Sequence, residues 1–494
     1  MILAIDQGTH ATRSILFDAD GKKIDSIMVD ISLNRISETV VEQGAEEIIN
    51  SIKEVVYGYE DKILKKISAA GLTTQRSSVV AWESDSLKAL SPVISWQDRR
   101  VYKELDEERS KDPSMETWVR QKTGLPVSPH YGAGKLRWLL QNNESVKEAH
   151  LKENLCFGPL SAFIVSNLLK TDAAQVDDAN ASRTLLWNIN TRSWDSELLN
   201  LFGINEVLLP TLRPVLCNYG NIHGTNIQLS AVSGDQNSAV LAGGDLPPGT
   251  AVVNMGSGAF ILLPVSEEIQ QHGALLRGLL VSSNDSASYT LEGTVNGAAL
   301  ALTWACEKYS QTYSNDEMQT WLNEITEPPV FVNSVGGLGS PFWNEGPKTR
   351  WLSPGIEPGA ERLRTGPDPG SASALDQSEP EFPEAIVAVA ESILFLININ
   401  LEALFKLGAH VRELKASGGL AASSVLLQKL ANLTGLPVVK SKEEEASAKG
   451  IAWLAASRPE SWTNSGGEKH YPIEDNPLKD RYKIFYDIMK PYLK

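Results

Sequence analysis

Residues 2–18 read ILAIDQGTHATRSILFD, two apolar, β-rich runs joined by a short polar stretch. The runs at residues 2–5 and 14–17 predict two strands, and the stretch between them predicts a tight turn. A turn of this kind can direct backbone N–H groups and hydroxyls at phosphate oxygens. Asp6, at the end of the first run, has the position and chemistry to hold hydrated Mg²⁺. An ordinary N-terminal hairpin is the alternative interpretation.

The bulk composition limits the classes of partner. A chain of 494 residues is longer than one core usually serves, so we expect two large domains. The net charge of −16 argues against a nucleic-acid partner, because a phosphate backbone attracts clustered lysine and arginine. A small phosphorylated ligand in a local cationic pocket remains compatible with this charge.

The cysteines and the apolar segments indicate the cellular compartment in which we expect the protein. Three widely spaced cysteines, odd in number, favour a reducing compartment. The N-terminus leads directly into a predicted strand, so we expect no secretory signal. Residues 385–405 are the most apolar long segment, but they include Glu391 and Glu402 and predict a buried helix rather than a membrane span. We therefore expect a cytoplasmic protein with no membrane partner.

The N-terminal pattern occurs a second time near the middle of the chain. Residues 250–254 and 259–264 predict strands on either side of Gly256-Ser257-Gly258, which repeats the strand–turn–strand unit of the N-terminus. Just before it, Asp235 begins a predicted helix. The alternation of strands and helices indicates an α/β fold.

This repetition predicts a domain organisation. We expect an N-terminal domain at residues 1–243 and a C-terminal domain at 244–456, facing each other across a cleft, with an extension at 457–494. Residues 354–383 are rich in Pro, Gly, Ser and Glu and predict a long surface loop inserted in the second domain.

A third glycine-containing turn completes the set of candidate phosphate-binding turns. Residues 415–425 read KASGGLAASSV, a strand end and a glycine pair followed by serines that can cap a helix. The P-loop pattern GxxxxGK[ST] is absent from the sequence. Three separate turns, in two domains, are therefore predicted to contact a nucleotide.

A series of short motifs resembles the FGGY carbohydrate kinases, and among them the glycerol kinases most closely. The resemblance extends from residue 2 to about residue 456. The motifs are Ile5-Asp6-Gln7-Gly8-Thr9, Gly71-Leu72-Thr73-Thr74-Gln75-Arg76, Ser95-Trp96-Gln97-Asp98-Arg99-Arg100, Asn180-Ala181-Ser182-Arg183-Thr184, Gly234-Asp235-Gln236, Gly256-Ser257-Gly258, Leu291-Glu292-Gly293, Gly337-Leu338-Gly339-Ser340-Pro341-Phe342-Trp343 and Ser417-Gly418-Gly419.

The resemblance implies a fold and a reaction. The fold would be two RNase H-like domains of the actin, hexokinase and Hsp70 ATPase type, with ATP and acceptor meeting in the interdomain cleft. The reaction would be Mg·ATP-dependent phosphorylation of a hydroxyl on a small polyol or sugar. Asp235 would be the general base, since a helix start favours an ionised carboxylate, with a helix-capping role as the alternative.

The resemblance also implies which residues bind the nucleotide and the metal. Asp6 would hold Mg²⁺, mostly through water. The β- and γ-phosphates would contact Thr9, His10, Arg13 and Ser257, although a solvated turn residue is an equal alternative for Arg13. The remaining nucleotide-binding positions implied by the resemblance are Ala299, Thr303, Gly418, Gly419 and Ser423.

The acceptor pocket matches the family in part. Matching positions are Trp96, Gln236 and Phe260, which join Arg76 and Asp235 as expected acceptor contacts. Glycerol kinases follow the arginine with a glutamate, whereas this chain has Ser77, and His130 stands where a tyrosine is expected.

Two polar contacts to a small triol are thereby lost, so we expect that glycerol is not the best acceptor. Arg76, without its neighbouring glutamate, would favour a longer or oxidised acceptor unless Asp98 offsets its charge. For His130, packing or hydrogen bonding within the protein is as good an interpretation as substrate contact.

Three other functions remain open at this stage. The chain could be a kinase of a ketose such as xylulose or ribulose, or a non-catalytic sugar- or polyol-binding homologue. An ATPase of the chaperone or actin class shares the fold, but it should lack the Trp96-Gln97-Asp98 and Gln75-Arg76 motifs. The resemblance also makes a homodimer plausible.

Overall fold

The structure, a computed structural model, describes residues 1–171, 173–266, 273–352, 379–443, 445–462 and 466–494. The chain divides into two compact units. The first contains Met1–Leu246, Arg277–Tyr289 and Glu443–Ser465, and the second contains Pro247–Leu276, Thr290–Lys442 and Gly466–Lys494. Most of the loop predicted at 354–383 lies outside the described residues.

The strands up to the first unit boundary are short and numerous. They are β1 (Ile2–Gln7), β2 (Ala11–Phe17), β3 (Lys23–Asp30), β4 (Asn34–Arg35), β5 (Val41–Gln43), β6 (Ala69–Thr74), β7 (Val79–Glu83), β8 (Val93–Ile94), β9 (Leu155–Pro159), β10 (Gln175–Asp177), β11 (Trp187–Asn188), β12 (Ser193–Trp194), β13 (Thr211–Arg213), β14 (Leu216–Asn221) and β15 (Gln228–Gly234).

The helices of the same part of the chain alternate with these strands. They are α1 (Ala45–Tyr57), α2 (Asp61–Leu64), α3 (Tyr102–Lys111), α4 (Met115–Thr123), α5 (Gly132–Asn142), α6 (Glu144–Leu151), α7 (Leu160–Leu169), α8 (Asp178–Ala181), α9 (Ser196–Phe202) and α10 (Asp235–Val240).

The rest of the chain repeats this alternation with longer elements. Its strands are β16 (Thr250–Met255), β17 (Ala259–Val265), β18 (Leu276–Ser282), β19 (Ala287–Val295), β20 (Val330–Val332), β21 (Arg350–Leu352), β22 (Glu413–Ser417), β23 (Val438–Lys440) and β24 (Lys469–His470). Its helices are α11 (Ala299–Tyr309), α12 (Asn315–Glu324), α13 (Phe382–Lys406), α14 (Ser424–Thr434), α15 (Ala446–Ala455) and α16 (Asn476–Met489).

The main sheet of the first unit has the strand order β14-β15-β6-β1-β2-β3. Strand β1 pairs antiparallel with β2 and parallel with β6, and β6 pairs parallel with β15. Helix α1 packs against β1 and β2, and α15 packs against β1 and β6. Cover on both faces explains why residues 2–5 are continuously apolar and buried rather than alternating.

A second sheet has the order β18-β19-β17-β16-β22-β23-β24. Strand β16 pairs antiparallel with β17 and parallel with β22, and β22 pairs parallel with β23. The central hairpin followed by parallel strands is the same arrangement as in the first sheet. The predicted strand–turn–strand repetition is therefore confirmed at the level of strand pairing.

Helix α13 forms the buried centre of the second unit. By length and composition it could span a membrane, and it is the one such helix among the described residues, but 89% of its apolar window is buried. Its buried Glu391 accepts hydrogen bonds from Arg481 at 2.7 and 2.8 Å and from Lys429 at 3.0 Å. Paired in this way, a carboxylate is tolerated inside an apolar helix, and the buried-helix prediction for 385–405 is confirmed.

The compact units differ from the predicted domains in the path of the chain. The division between Leu246 and Pro247 lies close to the predicted boundary, but Glu443–Ser465, placed by the sequence mostly in the C-terminal domain, clusters with the first unit. The reason is packing of α15. A Cβ at Gly71 would lie 2.6 Å from the carbonyl oxygen of Ile451. A Cβ at Gly450 would overlap the carbonyl oxygen of Ser238. Both glycines thus permit close approach of α15 to β6 and α10.

Candidate active site

The carboxyl ends of three neighbouring parallel strands meet at one edge of the first sheet. Asp6 in β1 is in register with Thr73 in β6, and Thr73 is in register with Ser233 in β15. Asp235 follows β15 directly as the first residue of α10, with Gly234 rather than Asp235 at the N-cap. The structure therefore brings the predicted metal ligand and the predicted general base to the same edge. The Asp235 carboxylate also accepts a hydrogen bond from the Gln236 N–H at 2.6 Å, within the first turn of α10.

The carboxyl group of Asp6 is electrostatically strained. Burial raises its pKa to about 7, and the charges of Asp235 and Glu445 act in the same direction, whereas Arg13 lowers the pKa. Several carboxylates around one buried carboxyl group create a site where a cation would relieve repulsion. Among the described residues there is no group of three or more His, Cys, Asp or Glu side chains that could hold a metal. A metal at Asp6 would therefore take other ligands from phosphate and water, as Mg²⁺ commonly does.

Arg13 lies opposite Asp6 in the β1–β2 pair and is engaged within the protein. Its guanidinium nitrogen lies 3.0 Å from Oε2 of Glu445, and Nζ of Lys23 lies 3.6 Å from Oε1 of the same residue. Arg13 is thus part of an ion pair although its side chain is 43% exposed, and phosphate contact stays a prediction for it. Glu445 is 432 residues away in sequence, and no local pattern indicated it.

The turn after β1 is fixed by backbone hydrogen bonds. The Gly8 N–H donates to the Ala11 carbonyl at 2.9 Å, and the Gln43 amide donates to the Thr9 carbonyl at 2.8 Å. The Ile31 N–H donates to the His10 carbonyl at 2.9 Å, and the His10 side chain is exposed. The predicted phosphate-binding turn is thus held in one conformation by its surroundings.

An aromatic row connects this turn with the predicted acceptor residues. The indole Nε1–H of Trp96 donates to the Thr9 hydroxyl at 3.1 Å. The His130 ring packs edge-on against Trp96 with centroids 5.8 Å apart, and Tyr131 packs edge-on against His130 at 5.1 Å. The structure therefore places His130 in contact with Trp96, which agrees with a packing role and leaves substrate contact a prediction.

Arg76 lies beside the predicted base. Its Nε is 3.7 Å from Oδ1 of Asp235, and its Nη1 donates to the Asn237 side chain at 3.3 Å. A Cβ at Gly234 would lie 2.6 Å from the Arg76 side chain, so this glycine makes room for the arginine. Gln236 is half-buried next to Asp235. Asn237 is a site residue that sequence reasoning missed, although it lies on the same first helical turn as Asp235.

Asp98 has a different role from the one considered in the sequence. Its carboxylate accepts hydrogen bonds from Arg100 at 2.8 and 2.9 Å and from the Val41 N–H at 2.8 Å. Asp98 is fully buried, beside Arg100. The structure thus pairs Asp98 with Arg100 and places Asp235 beside Arg76.

Ser77, a predicted acceptor contact, adopts an unusual backbone conformation. It is buried, it has a positive φ of 65°, and its hydroxyl has no hydrogen-bond partner among the described residues. The left-handed conformation is uncommon for a serine and occurs where the surroundings determine the backbone. The structure thus fixes the backbone at Ser77, and contact between Ser77 and an acceptor stays a prediction.

In the second unit, the Gly256–Gly258 turn is tied to the start of α11. The Ala299 N–H donates to the Gly256 carbonyl and the Leu300 N–H to the Ser257 carbonyl, both at 3.0 Å. Ser257 is exposed, and Phe260 is half-buried in β17. Thr303, exposed on α11, bonds the Ala299 carbonyl at 3.1 Å. The structure thus brings Ser257, Ala299 and Thr303 together around one helix start.

The glycine pair lies at the end of β22, which is next to β16 in the same sheet. Gly418 has φ +90°, and a Cβ there would lie 2.5 Å from the Met255 carbonyl oxygen. Gly419 is exposed, and a Cβ there would meet nothing within 4 Å. Ser423 caps α14 by accepting a hydrogen bond from the Leu426 N–H, which confirms its predicted capping role. Bare backbone at Gly419 leaves room for a flat ligand.

Family models match both parts of the chain. Residues 1–245 match the N-terminal domain of the FGGY family of carbohydrate kinases, and residues 251–458 match its C-terminal domain. The chain is 31% identical over 481 residues to a glycerol kinase of Rippkaea orientalis, covering 93% of this chain and 90% of that protein. It is 30% identical over 465 residues to a glycerol kinase of Geobacter sp. (strain M21), covering 92% and 89%.

Solved structures share the fold over nearly the whole chain. Plasmodium falciparum glycerol kinase with ADP superposes with a TM-score of 0.86 at 24% identity, covering 99% of this chain and 97% of that one. A ligand-bound xylulose kinase from Lactobacillus acidophilus has a TM-score of 0.82 at 20% identity, with coverage of 99% and 98%. A gluconate kinase from the same species has the same TM-score and identity, with coverage of 99% and 97%. The predicted two-domain actin- and hexokinase-like fold is confirmed.

Proposed function

Because the chain belongs to the FGGY family of carbohydrate kinases, it is an ATP- and Mg²⁺-dependent kinase of a small sugar or polyol, and we propose that Asp235 is its general base. The single observation that carries this assignment is the common location of Asp6 and Asp235 at the carboxyl ends of β1 and β15. Ligands of α/β sheets bind outside such strand ends.

The residues at this edge fit a magnesium nucleotide. Asp6 has a pKa raised to about 7 by burial and by neighbouring carboxylates, so a divalent cation there would meet a site that needs positive charge. The turn after β1 offers backbone groups and small side chains to phosphates. Mg²⁺ bound with ATP would neutralise the charge of the phosphates during phosphoryl transfer. We assign phosphate contact to Thr9, His10, Arg13 and Ser257, and nucleotide contact to Ala299, Thr303, Gly418, Gly419 and Ser423.

The chemical step assigned to the protein is proton removal and positioning. Asp235 accepts the proton of the acceptor hydroxyl. The hydroxyl oxygen then bonds to the γ-phosphorus of ATP, while the bond between the γ-phosphorus and the β–γ bridging oxygen breaks and ADP leaves. Arg76, 3.7 Å from the Asp235 carboxylate, holds that carboxylate in place together with the helix start. Trp96 presents an apolar face for the carbon chain and is oriented by its bond to Thr9. Positioning of this kind supplies most of the catalysis in phosphoryl transfer.

The acceptor is proposed to be larger than glycerol. Ser77 stands where the resemblance to glycerol kinases places a glutamate, so the pocket lacks that carboxylate next to the positive charge of Arg76. Pentuloses and aldonic acids offer more hydroxyls, and aldonic acids offer a carboxylate for an arginine. A ketose kinase is therefore retained beside a polyol kinase. Ser77, His130, Gln236 and Phe260 are the remaining proposed acceptor contacts.

The proposal extends to the setting of the enzyme. We place it in the cytoplasm, where ATP is available, and we propose that it works as a homodimer without nucleic-acid or membrane partners. Sedimentation of the purified protein at several concentrations measures the association state directly. A monomer throughout the micromolar range would contradict the dimer.

The test is a phosphorylation panel with purified protein. Mg·ATP is combined with glycerol, xylulose, ribulose, gluconate and related compounds, and ADP release and phosphorylated product are both measured. The proposal expects at least one acceptor with substantially higher kcat/KM than glycerol. It also expects Asp235→Asn to lower kcat by about 10²–10⁴-fold while leaving ATP binding intact.

A matched control is Asp106→Asn, an exposed carboxylate on α3 whose side chain is 68% exposed. This change should leave the rates unaffected. A folded wild-type protein that phosphorylates no member of the panel contradicts the acceptor proposal. Sugar binding by calorimetry with no turnover, unaffected by Asp235→Asn, would favour the non-catalytic alternative.

A further inference from the structure

A fully buried lysine in the first unit bonds three segments that carry predicted acceptor residues. Lys135 lies in the first turns of α5 and is 0% exposed. Its ammonium donates to the carbonyl oxygens of Ser77 at 3.2 Å, Ser95 at 2.8 Å and His130 at 2.8 Å. Ser77 follows Arg76 in the chain, and Ser95 precedes Trp96. One side chain thus connects the three stretches of backbone next to Arg76, Trp96 and His130.

The number of donors equals the number of acceptors. An ammonium group has three N–H donors, so each is matched by one carbonyl and none is left unsatisfied. Burial and the charge of Arg100 lower the pKa of Lys135, to about 7, against the opposing effect of Asp98. The three carbonyls favour the ammonium form, because the neutral amine has one donor fewer. Removal of the amine would leave three buried carbonyls without this partner.

The position of Lys135 does not serve the helix that contains it. A cation near a helix N-terminus is opposed by the helix dipole. The helix start is instead fixed by packing and by backbone bonds. Gly132 approaches Val79 closely, and the Ala133 N–H donates to the Thr184 carbonyl at 2.7 Å. Lys135 therefore lowers the stability of α5 locally, and its favourable contacts are with the three segments that it bonds.

The backbone at Ser77 needs such a restraint. Its φ of 65° is an unusual conformation for a residue with a side chain, and its own hydroxyl has no partner among the described residues. A neighbouring bond joins two of the three segments: the Ser78 hydroxyl accepts from the Trp96 N–H at 3.0 Å. Lys135 adds the third segment, at His130, to this connection.

We propose that Lys135 is a positioning residue for the acceptor pocket, which fixes Arg76, Trp96 and His130 relative to one another through the three carbonyls. The proposal rests on the proposed function, because the pocket is an acceptor pocket only if these residues bind the acceptor. Lys135 is not a catalytic residue, since its amine is fully buried and engaged with the backbone. Its loss should act on acceptor binding rather than on ATP binding.

The experiment combines kinetics with hydrogen exchange measured by mass spectrometry. Lys135→Met keeps the length of the side chain and removes all three donors. We expect the kcat/KM for the best acceptor to fall about 10–100-fold while the KM for ATP changes by less than about 3-fold. We expect faster exchange in peptides covering residues 75–80, 93–98 and 128–132, and unchanged exchange in β1 and β16. Lys147→Met, on the exposed side of α6, is the matched control and should change neither measurement.

A second variant keeps the test decisive. Lys135→Gln retains two amide donors on a shorter chain, so it should fold if Lys135→Met does not, and it should show the same pattern more weakly. The proposal is overturned if exchange in the three segments equals that of wild type, if exchange rises throughout the unit, or if neither variant folds. If the wild-type protein phosphorylates no acceptor of the panel, the proposed function is refuted. The exchange pattern would still decide whether Lys135 holds the three segments.

Discussion

Asp6 and Asp235 lie at the carboxyl ends of β1 and β15, two parallel strands with β6 between them, and the charge of Asp235 contributes to raising the pKa of Asp6 to about 7. Neighbouring strands are about 4.8 Å apart, so the two backbone positions are separated by roughly two strand spacings. The chain thus carries two acidic groups at one sheet edge at a cost in electrostatic energy. Such a cost is typical of a site prepared for a cation or a proton transfer.

The first prediction concerns the stability of the metal-free protein. The folded-state pKa of Asp6, about 7, exceeds the usual value of 3.8. Between these values the folded state binds more protons than the unfolded state, so stability falls as the pH rises and the whole penalty is present above pH about 7. Asp6→Asn should therefore raise the free energy of unfolding by roughly 1–3 kcal/mol at pH 8, and by much less near pH 4.

Urea titrations in EDTA at both pH values measure this gain. The control is Asp20→Asn, an exposed carboxylate in the β2–β3 turn, which should change the stability little at either pH. The stabilised variant should also have lost activity if Asp6 holds the metal. A destabilised Asp6→Asn protein at pH 8 would contradict the electrostatic argument.

The second prediction is that Asp6 and Asp235 are energetically coupled. Either substitution to asparagine removes the same repulsion, so the double variant should gain less stability than the sum of the single variants. We expect a coupling free energy of about 1 kcal/mol at pH 8 and low salt. The loss of the Arg76 contact in Asp235→Asn enters both arms of the cycle and cancels.

The coupling has its own internal control. Asp6→Asn combined with Asp106→Asn, an exposed residue of α3, should be additive within experimental error. Additivity for the Asp6 and Asp235 pair as well would show that the two carboxylates do not interact.

The third prediction separates two adjacent glycines of the second unit. Gly418→Ala should lower the free energy of unfolding by about 1–3 kcal/mol, since its φ is +90° and a Cβ would lie 2.5 Å from the Met255 carbonyl oxygen. Gly419→Ala should be nearly neutral for stability, because a Cβ there meets nothing within 4 Å. If a nucleotide lies on Gly419, the second change should still raise the KM for ATP several-fold. Thermal melting and ATP titration of both variants distinguish these effects, and an unchanged KM for ATP in Gly419→Ala would move the nucleotide away from this residue.

The fourth prediction concerns the bond between Trp96 and Thr9. Trp96→Phe keeps an aromatic face but removes the donor, and Thr9→Val keeps the shape but removes the acceptor. Each should lower the kcat/KM for the acceptor by about 3–10-fold, and the double variant should be little worse than either single variant. Trp194→Phe, which loses a 3.2 Å indole bond to the Pro210 carbonyl, is the matched control and should leave kinetics unchanged. Fully additive kinetic effects would mean that the two side chains act separately.

Local patterns predicted the elements that position the site. The apolar runs and the turn around Gly8 gave β1 and β2, and the helix introduced by Gly234-Asp235-Gln236 is observed as α10, which begins at Asp235. In the charged stretch at 98–110, helix α3 begins only at Tyr102, because Asp98 is bonded in a turn to Arg100 and Val41. A charged stretch predicts helix by composition alone, and tertiary contacts decided where the helix begins.

The partners of the site residues could not be derived from local sequence. Arg13 bonds Glu445 across 432 positions, and Arg76 bonds Asn237 across 161. Lys135 lies among buried residues of α5, between Ala133 and Leu136. No local pattern identified the three carbonyls that it bonds.

The sequence by itself determined the carboxylates and glycine turns, the order in which they occur, and the family to which the chain belongs. Strand periodicity, turn residues and short motifs are properties of neighbouring residues, so they can be read without coordinates. Only the tertiary structure decided which charges face one another and which side chain holds the acceptor segments together. Those pairings depend on distant parts of the chain meeting at one sheet edge, and the energy of a charge or a buried carbonyl is set by what lies within a few ångströms of it.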